Sequence, residues 1–265
     1  MEDDSPERAA TSAPAKSAAL PRIRTITMDD PWNWLAAGWR DLQRAPAISL
    51  TYGAFFFAAG WLLTALLFAV DLWFLILPSA AGFMLIGPIL AVGLYEVSRR
   101  LEAGEKPTLA QACMAWRRAP ESLSSMCVVL LLLHLAWIEI AIVMFALFLG
   151  DTAPTLDRLV GDVLLQPESV PFLAFGTAAG AALAIVVFSV CAVSIPMIVD
   201  RDAGIFVAVL TSLRAVRANW APMMLWAGLI VIFTASGIAT FYVGLAVTLP
   251  LIGHAAWHSY RQLVE

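Results

Sequence analysis

From Asn219 to Tyr260 the chain runs for roughly forty residues without one Asp, Glu, Lys or Arg, twice the about 20 residues that one helix needs to cross a hydrocarbon core. Its first ionisable side chains are His254 and His258, close to its end. Too long for one crossing, the run reads as two, and Ser236-Gly237 near its middle offers a tight break between two helices packed as a hairpin. That stretch alone predicts a polytopic membrane protein.

The rest of the chain agrees. Hydrophobic residues make up 61% and charged residues 14%, and the mean hydropathy is +0.82. A water-soluble domain carries about 25% charged residues, so this chain lacks the polar surface to stay in water. Cys113, Cys127 and Cys191 form no CxxC pair and read as reduced packing residues. Met1 to Leu20 is Ala-, Ser- and Pro-rich and acidic without an apolar centre, which reads as a disordered arm rather than a cleavable signal.

The apolar runs place six transmembrane helices in an all-α membrane protein, near residues 47–70, 72–97, 122–149, 172–199, 220–236 and 238–260. They make up a membrane domain over 29–265, behind a disordered arm over 1–28. Asp71 sits at the turn of the first hairpin; Pro78 and Gly87-Pro88 are expected to kink the second helix, and Pro196 to break the fourth. Short amphipathic segments precede the hairpins on one side. In PWNWLAAGWRDLQRAP, Trp32, Leu35, Trp39 and Leu42 recur at helical spacing with Arg40, Asp41 and Arg44 opposite, the pattern of a helix lying in the headgroup plane. In PTLAQACMAWRRAP, Pro107 and Thr108 supply start and cap. Asp200 to Ala218 is a third such segment, and Asn219 after it reads as a cap or a bond across helices.

With six spans, 15 of the 16 Lys and Arg fall on one side and Arg158, in the acidic loop Gly150–Pro171, on the other. The positive-inside rule then puts both termini in the cytoplasm. The Arg-flanked segments AAGWRDLQRAPAISL, CMAWRRAPESL and LTSLRAVRANWAPMML each open an apolar hairpin. They suggest three repeats of an interfacial helix plus two spans; the competing explanation is that amphipathic segments beside membranes resemble one another by composition.

GPILAVGLYEVSRRLEAGE (Gly87–Glu105) and the closing GLAVTLPLIGHAAWHSYRQLV resemble the bacterial integral-membrane family DUF2189, as do WLAAGWRDLQRAP and SIPMIVDRDAGIFVAVLTSLRAVRANWAPMMLWA. The resemblance runs from about Arg22 to Glu265. It implies a multi-span protein of the bacterial inner membrane and brings no established activity. Some relatives are labelled oxidase-subunit-like, which implies a respiratory oxidase as a neighbouring complex.

Three sets of residues are candidates for chemistry. His254 and His258, four apart on one helix face, suit a metal or a haem edge; the alternative is that they hydrogen-bond headgroups and neighbouring helices. His134 and Glu139 are ionisable groups within a span, where a carboxylate costs a few kcal/mol and is a functional candidate by default. Five residues apart, they point about 140° from each other and are no simple relay. Glu96, Arg99 and Arg100 form a membrane-boundary motif, Glu96 and Arg100 pairing on the helix surface.

No Walker loop, GxSxG, HExxH or Rossmann glycine pattern appears in the chain, and the bases are too spread along a membrane boundary for nucleic acid. The expectation is therefore a non-enzymatic accessory or assembly protein in the lipid bilayer, without a cofactor. Gly82, Gly87, Gly176, Gly180 and Gly244 would permit close helix packing. A small-solute or lipid transporter is the alternative, on the strength of Pro78, Pro88, Pro196 and Glu139. A metal- or haem-binding protein built on the histidine pair is the third reading.

Overall fold

A computed structural model describes residues 20–149 and 170–265, so most of the acidic Gly150–Pro171 loop and the first nineteen residues of the arm lie outside the described residues. Every regular element among those described is a helix. In chain order these are α1 (Asp30–Arg44), α2 (Pro46–Ala69), a 3₁₀ turn (Trp73–Leu75), α3 (Ile76–Leu90), α4 (Val92–Glu102) and α5 (Leu109–Cys113). A second 3₁₀ turn (Ala115–Arg118) leads to α6 (Pro120–Leu149), then α7 (Val170–Cys191), α8 (Ser194–Arg201), α9 (Ile205–Ala218), α10 (Trp220–Ala239) and α11 (Leu245–Leu263).

Among the described residues five segments are long and apolar enough to cross a membrane: Pro46–Ala69, Pro78–Glu102, Pro120–Phe148, Val170–Arg201 and Trp220–Ala239. The sixth expected span, 238–260, is not among them, because the second half of α11 carries His254, His258, Ser259 and Arg261. That polarity is accommodated by protein rather than by lipid. The last helix packs along α1 and also touches α2, α4, α8 and α10, and His254, Ala255, Trp257, Ser259, Tyr260 and Leu263 are all fully buried on it. It is the hub of the fold.

Glycine lets the hub's neighbours come close. A Cβ on Gly38 of α1 would lie 2.7 Å from the Ala255 nitrogen, and one on Gly53 of α2 would lie 2.2 Å from the Ala246 carbonyl oxygen. Backbone cannot yield at such distances, so these two crossings require glycine. Of the five glycines expected to serve close packing, Gly82, Gly180 and Gly244 face tight contacts, whereas Gly87 and Gly176 face open space.

The final hairpin turns later than expected. Helix α10 runs through Ser236-Gly237 to Ala239, and Phe241 and Tyr242 make the turn with left-handed φ of 53° and 66°. Gly237 instead lets α11 approach, since its Cβ would meet Thr248 Oγ1 at 2.6 Å. Two spans break within a few residues of an interior proline, which lacks a donor. After Pro88 the helix is interrupted at Ala91, and the Tyr52 hydroxyl donates to the Leu90 carbonyl at 2.5 Å. Ahead of Pro196 the chain breaks between Cys191 and Ser194. There the Val193 N–H donates to Ser212 Oγ at 3.1 Å, and that hydroxyl donates on to the Ser189 carbonyl at 2.7 Å.

The reading of α1 needs a correction. Leu35 and Leu42 are buried as expected, but with Trp34, Gly38 and Asp41; Trp32 and Trp39 stand 53% and 44% exposed on the other side. The helix presses against α11 rather than lying free at an interface, so the face that matters is the one complementary to that helix. The arm is corrected too. Residues 20–28 are not disordered along their length: Ile23 bridges Val264, Arg24 N–H donates to the Leu263 carbonyl at 2.9 Å, and Ile26 is buried. Asn219 anchors this segment, its amide accepting from the Ile26 N–H and donating to the Arg24 carbonyl, both at 2.9 Å. Thr108 caps α5 as expected, in a reciprocal capping box with Gln111.

Candidate functional site

The i,i+4 spacing of His254 and His258 aims both rings from α11 towards the junction of α1, α2 and α4. Each ring is met there by side chains that carry little signal of this role in the sequence. His254 is wholly buried, with Ser49 Oγ 2.9 Å from Nε2 and Ser98 Oγ 2.8 Å from Nδ1. His258 Nε2 lies 2.8 Å from Asp41 Oδ2. The Ser98 hydroxyl also reaches the Asp41 carboxylate, which accepts only. With Ser98 donating to Asp41, Ser98 accepts from His254 Nδ1–H, and His254 Nε2 accepts from Ser49. Five polar side chains from four helices thus form one hydrogen-bonded network that converges on the Asp41 carboxylate.

Asp41 is 3% exposed. Burial pushes its carboxyl up, but the hydrogen bond and charge of His258 and the hydrogen bond of Ser98 outweigh that and hold it below the usual aspartate range. The network is buried except at His258, whose side chain is 26% exposed, and satisfied polar groups in a low-dielectric core fix one arrangement of the helices that carry them. What it can do chemically is hold four helices in register. The ring nitrogens for which a bond is described are engaged within the protein, by Ser49, Ser98 or Asp41, and His254 also bonds the Leu94 backbone. Among the described residues no group of three or more His, Cys, Asp and Glu is placed to hold a metal ion.

The carboxylate of the boundary motif is buried, and its two arginines are partly buried, rather than lying free on the surface. Glu96 is 2% exposed and receives Arg99 Nε at 2.8 Å and Arg100 Nε at 2.6 Å, with Arg118 Nε at 3.7 Å. Arg118 also donates to the Val199 carbonyl at 3.0 Å, tying the segment before α6 to α8. The expected Glu96–Arg100 pair is therefore one contact of a shared carboxylate. Sequence spacing shows the i,i+4 partner, and nothing local reveals Arg118. On α11, Tyr260 donates to Asp200 at 2.6 Å and Trp257 to Glu102 at 2.9 Å, so the same end of the molecule is held by further polar contacts that span the chain.

His134 and Glu139 are separated by α6 itself. His134 faces α3, where a Cβ on Gly82 would come within 2.4 Å of its Cε1; its buried Nδ1 has no hydrogen-bond partner among the described residues. Beside it, Trp137 Nε1 donates to the Pro78 carbonyl at 2.9 Å. Glu139 points the other way and stands exposed, with no hydrogen bond or ion pair among the described residues. A cavity of about 100 Å³ lies between α2, α3 and the α10–α11 turn, lined by Phe56, Gly60, Thr64, Ser79, Phe83 and Tyr242 among others; neither Glu139 nor Pro78, Pro88 or Pro196 reaches it.

Long apolar helices, buried hydrogen-bonded junctions and spans with bare outer faces define a helical integral membrane protein. Over residues 76–200, from α3 to α8, the chain matches the family DUF2189, described as predicted integral membrane protein. The matched region holds Glu96, Arg99, Arg100, His134 and Glu139; Asp41, Ser49, His254 and His258 lie outside it. No curated protein and no solved structure matches the chain.

Proposed function

We propose that this protein is a non-enzymatic scaffold of the bacterial inner membrane that acts by docking another transmembrane helix inside the bilayer. One observation carries this. Glu139 lies in the Pro120–Phe148 span, whose most apolar window is only 11% buried, and its carboxyl faces outwards with no partner in the described chain. A carboxyl left against hydrocarbon costs a few kcal/mol, which a partner's polar group relieves. The motif resemblance supports the inner-membrane setting, and the cluster of bases supports a cytoplasmic position for the end that holds both termini. The six-span count and the threefold repeat belong to the same reading: α1, α5 and α9 each precede a pair of long helical segments.

The test is a photo-crosslinking amino acid in place of Ile142, which is exposed one turn from Glu139, irradiated in intact cells. A scaffold gives one discrete protein adduct. Lipid adducts alone, from this position and from an exposed position on α2 alike, contradict the reading.

A further inference from the structure

We infer that the occupant of this face is a second copy of the chain, paired through α6 about Glu139. The inference deepens the docking function and rests on it. Val128, Leu132, Leu135, Glu139, Ile142 and Ala146 follow at alternating spacings of four and three, the repeat that keeps one seam of a helix turned towards a partner helix. All six stand exposed. At 1.5 Å per residue the seam is about 27 Å long, close to the about 30 Å of the hydrocarbon core. It runs the depth of the membrane with one polar group in it.

The chemistry of that group favours a like partner. Copies inserted in one bilayer share an orientation, so two α6 helices meet in parallel about a two-fold axis along the membrane normal. On that axis each seam residue faces its own counterpart, and Glu139 meets Glu139. A carboxylic acid group offers an O–H donor and an acceptor oxygen together, so two of them close a reciprocal hydrogen-bonded pair. No base is then required. None is offered either, since α2, α3, α6, α7 and α10 contain no Lys or Arg. Between apolar helices in lipid, such polar contacts and close packing drive association in place of the hydrophobic effect.

The experiment is two-colour FRET between full-length copies labelled on an N-terminal tag, reconstituted in phosphatidylcholine vesicles and diluted with lipid. Wild type should show transfer that falls with dilution. Glu139→Gln, whose amide also donates and accepts, should stay close to wild type, while Glu139→Leu should weaken association about tenfold. Single-cysteine variants, built on a chain from which Cys113, Cys127 and the buried Cys191 are all removed, locate the contact. Disulfide crosslinking should be strong for Leu132→Cys, Leu135→Cys and Ile142→Cys, and weak for Leu131→Cys and Leu147→Cys at the flanks.

Wild-type transfer no greater than that of unassociated labels overturns the inference, and so does association that Glu139→Leu leaves intact. A monomeric chain that still gives a single foreign protein adduct from position 142 in cells overturns the second copy and leaves the docking function standing. Lipid adducts alone overturn both.

Discussion

The two ends of this molecule are built differently. At the end where Ile23 meets Val264, α1, α4, α8 and the second half of α11 pack around buried Trp34, Trp257 and Tyr260, and the polar groups there are paired across the chain. At the other end α2 and α6 leave most of their surface uncovered. The most apolar windows of α2 and of the α6 span are each 11% buried, against 50% for the two spans that continue into α4 and α8. The contrast follows from the solvent. A helix in lipid satisfies its backbone internally and loses nothing by showing leucine to hydrocarbon. Where water competes, the arrangement is specified by buried area and by polar groups that fit only one way. The polar end therefore sets the fold, and the apolar end is left free to meet something else.

That contrast can be broken by substitution. Gly53→Leu should be the most damaging change, because the added side chain meets the Ala246 backbone in α11; we expect a loss of about 3 kcal/mol or more, read by denaturant unfolding in detergent micelles. His254→Leu keeps the volume but leaves the Ser49 and Ser98 hydroxyls without their buried partner. It should cost about 2–3 kcal/mol in the same assay.

Acid sharpens the comparison further. Asp41 and Asp30 are both held below their ordinary value in the folded protein: burial raises each, and hydrogen bonds, from His258 to Asp41 and from Thr27 and Gln262 to Asp30, more than offset it. A carboxyl depressed on folding contributes stability that is complete above the unfolded value near 3.8 and is lost as pH falls through the folded value. Thermal unfolding should thus drop below about pH 4, and Asp41→Asn should be less stable at neutral pH with a shallower acid loss. A slope identical to wild type would contradict the role given to Asp41. The smallest effect should come from Gly176→Ala in α7, where the new methyl meets nothing within 4 Å: unchanged or up to about 1 kcal/mol more stable.

Much of this architecture was legible in the sequence, and the parts that were not share one cause. The apolar runs gave α2, α6 and the start of α10 within a few residues, because hydropathy reports the solvent directly. Pro88 and Pro196 announced their interruptions through a missing N–H. Asp41 was misread because helical spacing says which residues share a face but not which face is covered. Its seven-residue spacing from Trp34 and its adjacency to Leu42 were the available signals. Ser49 and Ser98 were invisible, since a serine in an apolar run is ordinary until a histidine more than 150 positions away meets it. The histidine pair was found by its spacing, yet its partners, and so its surroundings, come from tertiary contacts.

The division between a specifying end and a free end is tested most directly by one side-by-side measurement: thermal unfolding, in lipid nanodiscs loaded with one chain each, of wild type, His254→Leu and Glu139→Leu. One chain per disc removes any contribution from a second copy. The account predicts a melting temperature several degrees lower for His254→Leu and one indistinguishable from wild type for Glu139→Leu. A Glu139→Leu variant that melts early beside an unaffected His254→Leu would contradict it, by placing the determinant of the fold at the end described here as free.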